Sequence, residues 1–250
     1  MYTKLYGTFD VLIKRFKKKN NTHGLSGAFL MLFSIIIEVI LTPLYKKLRG
    51  KKQFVFRNHS YYYFCHWYNT TFSNERSVEI SIALNILNES TDKRILEVGN
   101  VLSHYVDIDH DVVDKYEKGQ SIFNEDIIDF LPSQQYDLII SISTLEHIGF
   151  DELPRDPFKI VEVIKHLRSL LSRQGQLFAT IPIGYNPFLN TLIATENLFD
   201  RSFFMERISK SNLWNETTKI EALKRKFDYP YPFANSIMIG FSDDSSKFFT

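Results

Sequence analysis

From Tyr136 to Ser143 the chain reads Tyr-Asp-Leu-Ile-Ile-Ser-Ile-Ser, an almost unbroken apolar run. It has the length of a strand and is apolar on both faces, the pattern of a strand buried inside a parallel sheet. A strand covered on both faces needs helices above and below it, so the flanking segments decide the architecture. Upstream, a helix is expected from Ser73 as N-cap, with Glu75 in its first turn and Val78, Ile80, Ile82, Ala83, Ile86 and Leu87 along it. Arg94 to Val98 reads as a short buried strand that stops at Gly99, and Asp111 to Lys115 as a second. Downstream, Asp156 as N-cap, Pro157 at the first position, an apolar face from Ile160 to Leu171 and Gly175 past the end mark another helix. Gln176 to Ile183 is the next strand, and Phe203 to Ile208 and Ser236 to Phe241 are two late strands that can pair.

Strands separated by helical stretches predict an α/β fold, an open, doubly wound, mostly parallel sheet. Ligands in such sheets bind at the carboxyl ends of the strands. Three of those ends are suggestive. Glu97-Val98-Gly99-Asn100 places an acidic residue and a turn glycine where backbone can approach a ligand closely. Asp114 ends the second strand, where a carboxylate can accept from two ribose hydroxyls. In Asn124-Glu125-Asp126-Ile127 a turn carboxylate can take the amino group of an adenine. Each is also an ordinary structural feature taken singly.

Composition sets the outer limits. The 250 residues are 44% hydrophobic and 24% charged, enough apolar content for one folded domain of roughly 200 residues with an appendage. The division falls between an appendage, 1–53, and a body, 54–250. The single cysteine, Cys65, excludes an intramolecular disulfide framework and a cysteine-clustered zinc site, and no metal site is read. The net charge of +1 hides a split: residues 1–57 hold 12 Lys/Arg against Asp10 and Glu38, leaving the remainder at −9. An acidic body is poorly suited to gripping nucleic acid by its phosphates.

Within the appendage, Lys14, Arg15, Lys17, Lys18 and Lys19 precede an apolar run from Leu25 to Leu44, and Lys46, Lys47, Arg49, Lys51 and Lys52 close it. About 20 apolar residues span a bilayer. Gly27, Ser34, Glu38 and Thr42 fall near a helical repeat, however, and both flanks are basic. A helix lying in an anionic membrane interface accounts for stripe and flanks together. A true span and a helix packed on the body, ended by Pro43, are the alternatives. No cleavage site for a signal peptide follows. The aromatic stretch 54–72 lacks a clean period and reads as a loop or lid with a short strand, or as a collar over the sheet edge.

The series Glu97-Val98-Gly99, Asp114, Asp126-Ile127, Tyr136 to Ser141 and Ser143-Thr144-Leu145-Glu146-His147-Ile148, with Leu170 to Leu177 after it, resembles the class I S-adenosylmethionine-dependent methyltransferases over about residues 73–183. The resemblance implies a Rossmann-like, seven-stranded sheet whose last strand is antiparallel. It implies S-adenosylmethionine as cofactor, with Glu97, Gly99 and Asn100 around its methionine and ribose, Asp114 on the ribose, Asp126 and Ile127 on the adenine and Ser143 beneath the sulfonium. Two departures stand out: Gly99 is followed by Asn100, Val101 and Leu102 instead of further glycines, and 15 positions from Gly99 to Asp114 leave little room for the usual first helix.

Methyl transfer mainly requires holding a nucleophile in line with the methyl group and excluding water. For a hydroxyl acceptor a base helps, and His147, just past the strand end, is the candidate catalytic residue, ahead of His104 and His66. Pro187 is followed by Phe188, which breaks the Asn-Pro-Pro-aromatic signature of nucleobase amino methylation. The expectation is a methyltransferase at the cytoplasmic face of a membrane, acting on a small-molecule, sugar or lipid-linked acceptor. An inactive methyltransferase-like binding or scaffold protein is the main alternative. A nicotinamide oxidoreductase ranks below both for want of a Gly-x-Gly-x-x-Gly turn.

Overall fold

The computed structural model describes residue 40, residues 43–119 and residues 121–242. The apolar run from Leu25 to Leu44 and the basic cluster before it lie almost entirely outside the described residues. Among those that are described, no helix is long and apolar enough to cross a membrane. Residues 43–49 are helical. They are fastened to the body by the Tyr45–Phe72 ring stack, with centroids 4.5 Å apart, and by the buried Arg49, which donates to the carbonyls of Phe72 and Asn212.

The body opens with the hairpin β1 (Gln53–Phe56) and β2 (His59–Tyr62), joined by Arg57 and Asn58 at φ 53° and 64°. Two successive left-handed residues make the primed turn that matches strand twist. A turn from Tyr68 to Ser73 leads into α1 (Arg76–Asn88). The helix therefore starts three residues beyond the Ser73 cap expected from sequence, because Asn69 and Thr70 hold positive φ and Asn74 Oδ1 accepts from the Arg76 N–H at 3.0 Å. Next come β3 (Ile95–Val98), β4 (Asp111–Val113), β5 (Ile122–Phe123), β6 (Tyr136–Ile142), α2 (Lys159–Ser169) and β7 (Leu171–Pro182). The chain continues with α3 (Pro187–Thr195), β8 (Arg201–Arg207), β9 (Trp214–Thr217), α4 (Lys219–Lys224) and β10 (Ser236–Ser242).

The main sheet runs β5-β4-β3-β6-β7-β10-β8-β9. The first five strands are mutually parallel, and β10 is antiparallel to both β7 and β8. The late strands pair as expected, with Ser236 opposite Glu206. Among the described residues this sheet has eight strands instead of the seven that the resemblance implies, and Trp214–Thr217 adds an antiparallel edge to β8. Gly175 does not follow a helix end either. The helix stops at Ser169 and Gly175 lies inside β7 at a register shift, where a Cβ would sit 2.7 Å from the Tyr136 carbonyl oxygen.

Both faces of the sheet are covered, as the β6 run requires. Ile139 of β6, with Leu177, Ala179 and Ile181 of β7, packs on Ile160, Val163, Ile164 and Leu167 of α2. Leu138, Ile140 and Ile142, facing the other way, pack with Phe178 against Val78, Ile82 and Ile86 of α1 and against Phe54 and Phe56 of the hairpin. Full burial of each such side chain is worth about 1.5–3 kcal/mol, which fixes the register of β6 between the two layers. The aromatic stretch is thus a collar built into the core, and none of residues 54–72 lines the cavity at the strand ends.

Candidate active site

At the carboxyl ends of β3, β4 and β6 a cavity of about 480 Å³ opens, within the range of roughly 300–1,000 Å³ typical of small-molecule and cofactor sites. Its wall brings together Gly99, Asn100, Asp114, Asp126, Ile127 and His147, six of the eight positions named from sequence. Two other hollows, of about 660 and 400 Å³, lie at the amino ends of β3 and β8, away from the strand ends that bind ligands in such sheets.

Gly99 is what lets the β3 and β6 loops meet. Its φ is +84°, and a Cβ there would fall 2.3 Å from Thr144 Oγ1. The following turn, Leu102–His104, stands where a first helix would otherwise begin. Glu97 holds that turn from behind. Its side chain is fully buried, Oε1 accepts from the Val101 and Leu102 N–H groups at 2.8 Å each, and Oε2 lies 3.0 Å from His110 Nε2. Glu97 therefore does not line the cavity: its carboxylate is enclosed and turned onto the Val101–Leu102 turn and His110. Ser143 does not line it either: its hydroxyl donates to Glu79 Oε1 at 2.6 Å, and Thr144 takes its place in the wall.

Asp114 shapes the loop opposite. Its carboxylate accepts from the N–H groups of Asn100 at 2.9 Å, Tyr116 at 2.8 Å and Glu117 at 2.7 Å. A carboxylate offers about four lone-pair sites, so one remains for a ligand hydroxyl in this arrangement. The Asn100 amide donates to Glu117 Oε2 at 2.6 Å and its carbonyl accepts from Ser103 at 2.5 Å. Asp126 is ion-paired with Lys115 at 2.8 Å and with Lys159, and Glu152 pairs with the same lysines at 2.8 and 2.7 Å. Burial raises the Asp126 carboxyl, but the two ammonium groups outweigh it and hold the group below the ordinary carboxylate range. Beside this ring of four charges, Val98, Ile127 and Ile148 offer an apolar slot. The cavity thus combines apolar wall residues, a carboxylate with spare capacity and a glycine that lets the β3 and β6 loops close against each other.

His147 is half exposed. Its Nδ1 lies 2.5 Å from Asp151 Oδ2, and Tyr185 donates to the same oxygen at 2.6 Å. His104 pairs with Glu117 at 3.4 Å and stacks on Tyr68, and neither it nor His66 reaches the cavity. Sequence reasoning passed over Asp151, although its place four residues after His147 was a readable signal. It also passed over α3, despite Asn186-Pro187 being a capping pair: Asn186 Oδ1 accepts from the Phe188 and Leu189 N–H groups at 3.1 and 3.2 Å.

Behind the wall lies a buried cluster of Glu75, Arg76, Glu79 and Glu146. Arg76 donates to the carbonyls of Ile142 at 2.9 Å and Ser143 at 3.4 Å and lies 3.6 Å from Glu79 Oε2. Burial, reinforced by Glu79, pushes the Glu75 carboxyl up to about 7, and burial lifts Glu146 well above the ordinary range. A carboxyl raised in the folded chain binds its proton more tightly there than when unfolded. The resulting stabilisation is present at low pH and is lost as pH rises through about 7. Urea unfolding should show stability falling by roughly 1–3 kcal/mol between about pH 5 and pH 8, and Glu75→Gln should flatten that slope. An unchanged slope in the variant would contradict the assignment.

No protein-family model matches the chain, and no curated protein matches it. Among solved structures, it is similar to the N-methyltransferase NodS from Bradyrhizobium japonicum WM9, determined in complex with S-adenosyl-L-homocysteine, at 12% identity and TM-score 0.41, covering 67% of this chain and 85% of that one. It is also similar to a SAM-dependent methyltransferase from Archaeoglobus fulgidus at 17% identity and TM-score 0.41, covering 66% and 91%. A third is a SAM-dependent methyltransferase from Thermotoga maritima, described as a possible histamine N-methyltransferase, at 11% identity and TM-score 0.41, covering 68% and 90%. At these values the likeness is one of chain path and carries nothing about cofactor or acceptor.

Proposed function

We propose that this protein is an S-adenosylmethionine-dependent methyltransferase acting on a small-molecule, sugar or lipid-linked acceptor. One observation carries the reading: a single cavity at the carboxyl ends of three parallel strands gathers Gly99, Asn100, Asp114, Asp126, Ile127 and His147. In this reading Gly99 and Asn100 form the close backbone approach, Asp114 takes the ribose, Ile127 and Asp126 meet the base, and Glu97 and Ser143 support the loops without contact. The cofactor supplies an activated methyl group. The protein then has to orient the acceptor, exclude water and, for a hydroxyl, accept a proton at His147. Native mass spectrometry of the purified protein should find a co-bound adenosyl ligand, or show one after S-adenosylhomocysteine is added. A folded protein that remains empty in both conditions would favour an inactive binding or scaffold module, the reading to which the three backbone bonds on Asp114 lend some support.

The appendage, in the same proposal, rests on an anionic membrane surface at the cytoplasmic face. Support comes from Ile40, Leu44 and Leu48, exposed at successive four-residue intervals, with Lys46, Lys47, Lys51 and Lys52 close by. Each lysine near such a surface contributes about 1 kcal/mol at moderate salt. The full chain should float with phosphatidylserine-containing vesicles but not with phosphatidylcholine alone, and high salt or Leu44→Glu with Leu48→Glu should release it. Equal binding to both vesicle types would refute the electrostatic part of this proposal.

A further inference from the structure

We infer that Asp151 is a positioning residue, which fixes neutral His147 with its proton on Nδ1 and leaves Nε2 as the atom that takes a proton from a hydroxyl acceptor. The inference rests on the methyl-transfer reading and adds to it a residue that this reading does not require.

The arrangement is built locally. The turn Leu145–His147 continues for one more step, with the Asp151 N–H donating to the His147 carbonyl at 2.9 Å, so the two side chains lie on the same side one turn apart. Asp151 Oδ2 then sits 2.5 Å from His147 Nδ1 and 2.6 Å from Tyr185 Oη. A carboxylate only accepts, so both neighbours must donate to it. Tyr185 keeps its proton, because burial and the bond to Asp151 both raise its hydroxyl. Its ring is held edge-on by His147, Phe150 and Phe227, with centroids 4.7, 5.8 and 5.2 Å away. With Nδ1–H committed to Asp151, the lone pair of neutral His147 is on Nε2.

Glu146 is the other titratable group facing the ring. Its Oε1 is 3.5 Å from Nε2, within ion-pair reach but too long for a good hydrogen bond, so the contact leaves Nε2 able to take a closer partner. His147 and Asp151 both line the cavity that would hold the cofactor. A base oriented through its second nitrogen by a carboxylate is a general way of presenting an imidazole to a hydroxyl. The step balances: the hydroxyl proton passes to Nε2, the oxygen lone pair forms the new O–C bond, and the pair of the broken C–S bond stays on sulfur. The imidazolium then releases its proton to water.

The test needs no acceptor. Full-length protein labelled with ¹⁵N-histidine is examined by long-range ¹H–¹⁵N correlation at a pH where imidazoles are neutral, with His147→Gln to assign the signal. The wild type should show the Nδ1–H tautomer at His147. Asp151→Ala should convert it to the Nε2–H form that free imidazoles favour, and Tyr185→Phe should leave it as Nδ1–H. A wild-type Nε2–H tautomer, or an Asp151→Ala spectrum identical to wild type, would overturn the inference. Should Asp151→Ala fail to fold, the wild-type tautomer and Asp151→Asn decide the matter. Calorimetry with S-adenosylhomocysteine on the same samples separates the two claims. Binding by the wild type would uphold the methyl-transfer reading, whereas absent binding in every folded sample would sink that reading and leave the tautomer result standing.

Discussion

Replacing Glu97 with alanine should cost about 3–5 kcal/mol of stability, the usual penalty for removing one member of a buried charge-bearing pair. The loss has three parts. The N–H groups of Val101 and Leu102 lose their shared acceptor, and His110, itself almost fully buried, loses its partner. A cavity also opens behind β3. Urea unfolding should show the midpoint falling steeply, and Glu97→Gln, which keeps one acceptor oxygen, should lose only about 1–3 kcal/mol. The prediction separates two roles that the sequence leaves superimposed. If Glu97 touched the ligand directly, Glu97→Gln would weaken ligand binding at nearly full stability. Placed behind the loop, it should lower stability first, and affinity only as the loop loosens.

Asp114→Ala is expected to act mainly in the cavity. The backbone N–H groups of Asn100, Tyr116 and Glu117 converge on this one carboxylate. Its loss should lower S-adenosylhomocysteine affinity by about 1–3 kcal/mol, roughly 5- to 150-fold, because a ligand contact is removed and the loop that frames it is released. Calorimetric titration measures this directly. Stability should fall as well, but by less than for Glu97→Ala, since the Asp114 side chain stands at the cavity edge while Glu97 is enclosed. Unchanged affinity in a folded Asp114→Ala protein would remove Asp114 from the site.

The contrast between these two carboxylates shows what the sequence can and cannot convey. Periodicity is a property of the chain itself, so the buried β6 run, the apolar face of α2 and the pairing of the two late strands were legible. So was the gathering of Gly99, Asn100, Asp114, Asp126, Ile127 and His147 at one sheet edge, because in a parallel sheet every strand delivers its carboxyl end to the same side. The direction in which a side chain turns after the strand ends is not periodic. Glu97 and Asp114 are both acidic residues at strand ends, yet one turns back under its own loop and the other reaches the cavity. Ser143 illustrates the same limit: at φ 41° its backbone is turned so that the hydroxyl meets Glu79 of α1, a residue 64 positions away. The hairpin at 53–62 was hidden for a different reason. Arg57-Asn58 adopts the turn usually signalled by Asn-Gly, and the packing of Phe54, Phe56 and Tyr61 in the core holds it there. The eighth strand, Trp214–Thr217, alternates too briefly to register, and its place at the edge is set by pairing with β8.

The cavity at the ends of β3, β4 and β6 should bind an adenosyl cofactor, and isothermal titration of the full-length protein with S-adenosylhomocysteine measures this. One-site, saturable heat with a dissociation constant in the micromolar range, about −8 kcal/mol, is the predicted result. No heat up to about millimolar ligand, near −4 kcal/mol, from protein whose unfolding curve shows it to be folded would contradict the claim.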